Sequence, residues 1–301
     1  MKWKGVIPAV TTPFVSDLSI DLSALGQHCR WLAERGCTGV IVLGSLGEGG
    51  TLDRAEKRAV IDAAVHALEG RGPVVAAVAS LRTSEAVELA REAEEAGAAG
   101  LMVLPPYVYR GDRRETREHF SAVFRVTALP CMLYNNPIAY GTDVLPDHLL
   151  ELATDHPNLV AVKESSADVR RITGIRALLG ERLAISVGVD DAVLEGVDAG
   201  ATSWVAGVAN ALPSESVELF RLATSGQRSE AFEVYRWFLP LLRMDSSPKF
   251  VQLIKLLQAE TGHGPARVRP PRLELEGEER SQAIETVQVA LRTRPQGLPP
   301  S

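Results

Sequence analysis

The chain has 301 residues, 46% hydrophobic and 23% charged, with a formal net charge of −6. That balance provides material for a large apolar core and argues against a nucleic-acid partner. With no run of membrane-spanning length and no apolar signal core at the N-terminus, a cytoplasmic protein is expected.

The three cysteines, Cys29, Cys37 and Cys131, form no CxxC pair, and the odd, small count suits a reducing compartment. The six histidines form no HxxxH or HxH pair, so no structural or catalytic transition metal is expected.

In chain order, Val6 to Thr11 reads as a strand and Ser23 to Glu34 as a helix closed by Gly36. Strand and helix then alternate: Gly39 to Gly44 and Arg54 to Leu68, Val74 to Ala79 and Ser84 to Ala96, Leu101 to Leu104 and Arg114 to Val126. The pattern continues with Pro130 to Tyr134 and Pro146 to Ala153, Val160 to Lys163 and Val169 to Leu179, Ala184 to Val187 and Ala192 to Ala199, Thr202 to Ala206 and Ser214 to Thr224. Eight strand–helix units imply right-handed crossovers and a parallel sheet closed into an α/β (β/α)8 TIM barrel over residues 1–225. An open doubly wound sheet is the alternative, disfavoured by eight units without a long interruption.

After residue 226 the strands stop. Ser229 to Arg243, Pro248 to Glu260 and Glu278 to Leu291 read as helices, so residues 226–301 form a C-terminal helical extension. Pro265 to Pro271 reads as a linker, and the Pro-rich end from Arg292 as a frayed tail.

The sixth strand carries the most informative residue. Leu159 to Val162 is apolar and β-branched, as in a strand buried on both faces, and Lys163 follows it. Only six residues are lysine, and this is the one in an apolar strand pattern. It either ends the strand and snorkels to solvent, or it is a desolvated amine. Burial lowers a lysine pKa, and a neutral amine attacks carbonyl carbon.

Barrel chemistry sits at the C-terminal ends of the strands. Those ends here include Gly44 to Glu48, Pro105 to Tyr107, Tyr134 to Pro137, Lys163 to Ser165, and Gly188 to Asp191. Glycines at 44 and 47 let backbone amides approach an anion, although a tight βα turn explains them equally well. Tyr134 ends an apolar strand, either as a structural residue or as a proton carrier beside the lysine. Tyr107 sits on a loop, where a tyrosine is often an interface residue. Asp190 and Asp191 read as helix-capping residues, Glu48 and Glu164 as structural hydrogen-bonding groups with a catalytic role as the alternative, and Asn135 and Asn136 as shapers of the turn before Pro137.

Gly-Ser-Leu-Gly-Glu at 44–48, Tyr-Asn-Asn-Pro at 134–137 and Val-Lys-Glu-Ser-Ser at 162–166 together resemble the dihydrodipicolinate synthase/N-acetylneuraminate lyase family of class I aldolases. The resemblance runs from about Val6 to Ala223 and on into the helical tail. It implies that Lys163 forms a Schiff base with a pyruvate-like acid and that Tyr134 shuttles protons. Ser45 and a tyrosine that reaches across a tight dimer interface, here Tyr107, partner it. It also implies that the Ser45 and Leu46 amides seat the substrate carboxylate. Gly188 and Ser165 are the further expected substrate contacts. A homotetramer built from two tight dimers is implied as well.

Departures from the pattern bear on the substrate. Where the family's synthases carry an arginine for a second carboxylate, this chain has Ala139; where they usually carry threonine it has Leu46; and Pro106 replaces the first of a tyrosine pair. Losing the arginine removes a bidentate carboxylate clamp. The Tyr-Asn-Asn-Pro form and the stretch Glu233 to Lys255 look more like catabolic members, such as 1-pyrroline-4-hydroxy-2-carboxylate deaminases. The expected activity is therefore a cofactor-free lyase working by dehydration and deamination, since a lysine iminium is its own electron sink. A 2-oxo acid aldolase, a 4-hydroxy-tetrahydrodipicolinate synthase and a non-catalytic oxo-acid-binding barrel are the alternatives. A phosphate-binding barrel is less favoured, because Gly188 and Gly207 alone do not make a phosphate nest.

Overall fold

The computed structural model describes residues 3–107, 109–299 and 301. Eight short strands form one parallel sheet: β1 (Gly5–Pro8), β2 (Val40–Val42), β3 (Val74–Val78), β4 (Gly100–Val103), β5 (Cys131–Asn135), β6 (Leu159–Glu164), β7 (Ala184–Val187) and β8 (Ser203–Ala206). From β2 to β8 each strand pairs with the next, and β8 pairs with β1. The remaining gap, between β1 and β2, is bridged at Ala9 and Ile41, where the Val10 amide donates to the Ile41 carbonyl at 2.8 Å. The result is the TIM barrel expected from the alternation.

Helices cover the outside: α1 (Leu22–Glu34), α2 (Arg54–Ala67), α3 (Thr83–Glu95), α4 (Arg113–Phe124), the single turn α5 (Pro137–Tyr140), α6 (Pro146–Asp155), α7 (Arg170–Leu179), α8 (Val193–Asp198) and α9 (Pro213–Thr224). Their starts are set locally. Asp53 with Glu56, and Asp112 with Glu115, form reciprocal capping boxes at α2 and α4. Strand residues are buried on both faces, as parallel sheets require, and the buried side chains of barrel and helices make one continuous core. Inside the barrel the Ser186 and Ser203 hydroxyls satisfy each other.

Three further helices, α10 (Arg228–Asp245), α11 (Phe250–Glu260) and α12 (Gly277–Arg292), pack on one another, and α10 also packs on α9. Their attachment to the barrel is polar as well as apolar. Lys255 is fully buried, and its Nζ donates to Glu48 Oε1 at 2.5 Å, to the Thr12 carbonyl at 2.7 Å and to the Arg267 carbonyl at 2.8 Å. Glu48 also accepts from the Arg269 amide at 3.0 Å. The 265–271 segment, which reads as a linker, therefore anchors the extension through its own backbone. Beyond α12, where composition suggests fraying, Arg294 pairs with Glu215 at 2.9 Å and donates to the Leu298 carbonyl at 3.0 Å.

Candidate active site

The site is built on β5 and β6, which lie side by side with Tyr134 in register with Lys163. Lys163 is 7% exposed although it sits at the barrel mouth, and its Nζ lies 4.2 Å from the centre of the Tyr134 ring. The snorkelling alternative is thereby excluded. Burial pushes the Lys163 pKa down, while Asp245, Tyr140 and Asp190 act in the opposite direction.

Gly188, at the end of β7, makes room for this amine. A Cβ on it would lie 2.0 Å from Ser165 Oγ and 2.6 Å from Lys163 Cε. Ser165 Oγ is buried without a hydrogen-bond partner among the described residues. A buried hydroxyl beside this amine, with no hydrogen bond of normal geometry and only the Tyr134 phenol acting on it, suits a ligand contact.

Tyr134 is buried, and its hydroxyl accepts from Asn136 Nδ2 at 3.1 Å. Burial raises its pKa, and the neighbouring Asn136 and Ser165 pull it back. The ring of Tyr140, from α5, meets that of Tyr134 edge-on at 5.7 Å. The Tyr140 hydroxyl is hydrogen-bonded to the Ser45 hydroxyl. Phenol, phenol and alcohol thus line up from Lys163 towards the loop after β2. Tyr140, which the sequence reading passed over, is the tyrosine that meets Ser45 within this chain. Tyr107 is 39% exposed, with its ring 5.9 Å from that of Tyr140. The missed clue was the phenol six residues after Tyr134, just beyond the Tyr-Asn-Asn-Pro turn.

In the loop after β2, Ser45 is partly buried and Leu46 is buried. The amides of both donate to no carbonyl or side chain among the described residues. Two free amides in one turn have the donors to hold a carboxylate.

The acidic residues fall into different roles. Glu164 accepts from Asn135 Nδ2 at 3.0 Å and from the Ser166 amide at 2.7 Å, so it is structural as expected, like Glu48. Asn136 Oδ1 accepts from the Ala139 amide at 3.0 Å and shapes α5. The capping expectation for Asp190 and Asp191 is corrected, since neither side chain caps the 3-10 turn 190–192. Asp190 is fully buried and instead accepts from Trp204 Nε1 at 2.8 Å, the Gly207 amide at 3.0 Å and the Val208 amide at 2.8 Å. Tertiary partners from β8 outbid the local amides. Burial raises its pKa to about 6 against those hydrogen bonds. Asp191 accepts a hydrogen bond from the Ser246 hydroxyl.

Ala139 is exposed on α5 and offers no charge to a second carboxylate. The Arg110 side chain packs against Gly141 nearby but is itself exposed at the rim. Asp245, at the end of α10, was also missed, and only the tertiary fold brings it to the mouth.

Residues 2–290 match the model of the dihydrodipicolinate synthetase family. The chain is 33% identical to a 4-hydroxy-tetrahydrodipicolinate synthase of Methanosphaerula palustris over 252 residues, which is 82% of this chain and 86% of the relative. It is 35% identical to the enzyme of that name from Methanothrix thermoacetophila over 242 residues, covering 80% and 81% of the two chains. Among solved structures, YagE, a prophage protein of this family from E. coli K12 crystallised with pyruvate, superposes with a TM-score of 0.91. That match covers 97% of this chain and 99% of YagE at 26% identity. The chain is a member of the dihydrodipicolinate synthase family, a family of lyases with class I aldolase-type chemistry.

Proposed function

We propose that the protein is a lysine-imine lyase acting on a small 2-oxo acid or a pyrroline carboxylate. One observation carries this reading: a buried lysine amine packed on the face of a buried phenol, beside unengaged amides that fit a carboxylate. Desolvation favours the neutral, nucleophilic form of Lys163. The amine attacks the 2-oxo carbon and expels water. With a ring C=N it attacks that carbon and opens the ring, so the ring nitrogen remains as a primary amine. Ser45 and Leu46 hold the 1-carboxylate. Tyr134, relayed through Tyr140 and Ser45, carries protons to and from the reacting oxygen or nitrogen and C3. Tyr107 stays a candidate partner only where a second subunit changes its surroundings.

For the finer activity we propose dehydration and deamination of 1-pyrroline-4-hydroxy-2-carboxylate. Loss of the C3 proton into the iminium expels the C4 hydroxyl as water. The resulting C3=C4 alkene is conjugated with the iminium, so a C5 proton and one amine proton shift to C3 and C4 and turn the terminal amine into an imine. One water hydrolyses that imine to release ammonia, and a second frees the oxo acid from Lys163. The absence of an arginine at Ala139 and the presence of Asp245 at the mouth support this over a substrate with two carboxylates. The second reading is 4-hydroxy-tetrahydrodipicolinate synthase, favoured by the names of the relatives and by Arg110 at the rim. Carbon–carbon cleavage by the same lysine is a variant of either.

Borohydride reduction with pyruvate and with the hydroxypyrroline should fix a mass adduct on Lys163, and Lys163→Ala should give none. No adduct with any 2-oxo acid or pyrroline carboxylate would refute the imine. Ammonia release from the hydroxypyrroline supports the deaminase, whereas condensation of pyruvate with aspartate semialdehyde supports the synthase. Tight binding without turnover would leave an oxo-acid-binding barrel.

A homotetramer is part of the proposal. Leu81, Tyr107, Tyr109 and Ile138 are exposed apolar side chains on the loops around the mouth. Sedimentation would give the assembly, and a monomer at micromolar concentration would count against it. A cytoplasmic location fits three unpaired, buried cysteines.

A further inference from the structure

The C-terminal extension sends one carboxyl into the barrel mouth. Asp245 is the last residue of α10, which packs on the turns 190–192 and 208–210 after β7 and β8. Its Oδ1 would lie 1.9 Å from a Cβ on Gly207, so the carboxyl rests directly over the backbone of the β8 loop. The Gly207 amide is already committed to Asp190. Among the described residues no hydrogen bond is made to the Asp245 side chain. Buried Lys163 feels Asp245 more than any other charge, and the Tyr134 phenol feels it too. Burial and Asp190 raise the Asp245 pKa and Lys163 works against them, so the positive iminium formed on Lys163 favours the ionised carboxylate.

A half-buried carboxyl without a donor, carried by α10 onto the loops after β7 and β8 at the mouth that holds Lys163, is an acceptor waiting for one. It occupies a mouth where Ala139 supplies no cation. A substrate with a second carboxylate would place a third acidic group beside Asp190 and Asp245, with Lys163 as the neighbouring cation. A hydroxyl or a protonated nitrogen would satisfy Asp245 instead.

We propose that Asp245 is the specificity-determining residue of the Lys163 site: it selects substrates whose distal end donates a hydrogen bond, and it disfavours a second carboxylate. The inference rests on the lysine-imine reading above and names the substrate class that this lysine accepts. It also gives the helical extension a part in the site.

The test is borohydride trapping on Lys163 with pyruvate, 4-hydroxy-2-oxobutanoate, 5-amino-2-oxopentanoate with its cyclic imine, and 2-oxoglutarate. Rates are compared as ratios, because any effect of Asp245 on the lysine itself acts on every acid alike. In the wild-type chain the hydroxy or amino acid should be trapped about 10- to 100-fold faster than 2-oxoglutarate, the range expected for a hydrogen bond to a charged group. The two donor acids tell a hydroxyl preference from a cation preference. Asp245→Asn should keep a hydroxyl preference and lose a cation preference, and Asp245→Ala should lose both. If wild type traps 2-oxoglutarate as well as the donor acids, the proposal fails without recourse to any variant. If the ratios survive in both variants while pyruvate is still trapped, Asp245 is not the selector and the imine reading stands. If wild type traps none of the acids, the imine reading fails and takes this proposal with it.

Discussion

The Tyr140 hydroxyl, on the turn after β5, is hydrogen-bonded to the Ser45 hydroxyl, on the loop after β2, across the barrel mouth. In the proposed reaction that bond would join the Tyr134 phenol to the loop that seats the carboxylate and would make Tyr140 the inner tyrosine of the relay. Tyr140→Phe should therefore lower kcat by about 10²- to 10⁴-fold, the usual worth of a positioned proton carrier. Tyr107→Phe should cost clearly less. Steady-state rates of the two variants check this, and a larger loss at Tyr107 would place the relay across a subunit interface.

Gly188→Ala tests the room around the amine. The added methyl would meet Ser165 Oγ and Lys163 Cε well inside contact distance. Trapping of pyruvate on Lys163 should fall at least about tenfold, and overpacking should lower stability by about 1–3 kcal/mol. Circular dichroism with urea melts and mass spectrometry of the reduced adduct report the two effects separately.

The pH dependence of imine formation has a defined sign. Burial lowers the Lys163 pKa below its ordinary 10.5, so neutral amine is present at lower pH than for a surface lysine. The trapping rate should rise with pH and level off before 10.5. A rate still climbing at that pH would mean the amine is solvated rather than desolvated.

Lys255 is the second buried lysine, and its role is structural. Lys255→Met leaves Glu48 buried without its cation, which should cost about 3–5 kcal/mol. Urea unfolding measures the loss. Because the pair joins α11 to the β2 loop, protease cleavage should appear first near the 265–271 segment.

The local periodicities of this sequence are sufficient to read the eight-fold strand–helix alternation and the three extra helices, because each element buries its own apolar pattern. Lys163 is legible for the same reason, as a charge at the end of an apolar strand. Tyr134 and Ser45 are legible because strand ends converge at one face of a barrel. Residues whose partners are remote in the chain are not legible. Asp190 looks like a local cap, yet β8 offers it an indole and two amides that a cap would not. Tyr140 looks like the end of a turn until β2 and β5 are seen to face each other across the mouth. Asp245 falls just beyond the helix read from the sequence at Ser229 to Arg243, and only the docking of α10 on the loops after β7 and β8 carries it to the barrel mouth. Local pattern determined the barrel and its lysine; the long-range packing of loops and extension decided which groups surround that lysine, because short-range preferences carry no information about contacts between distant segments.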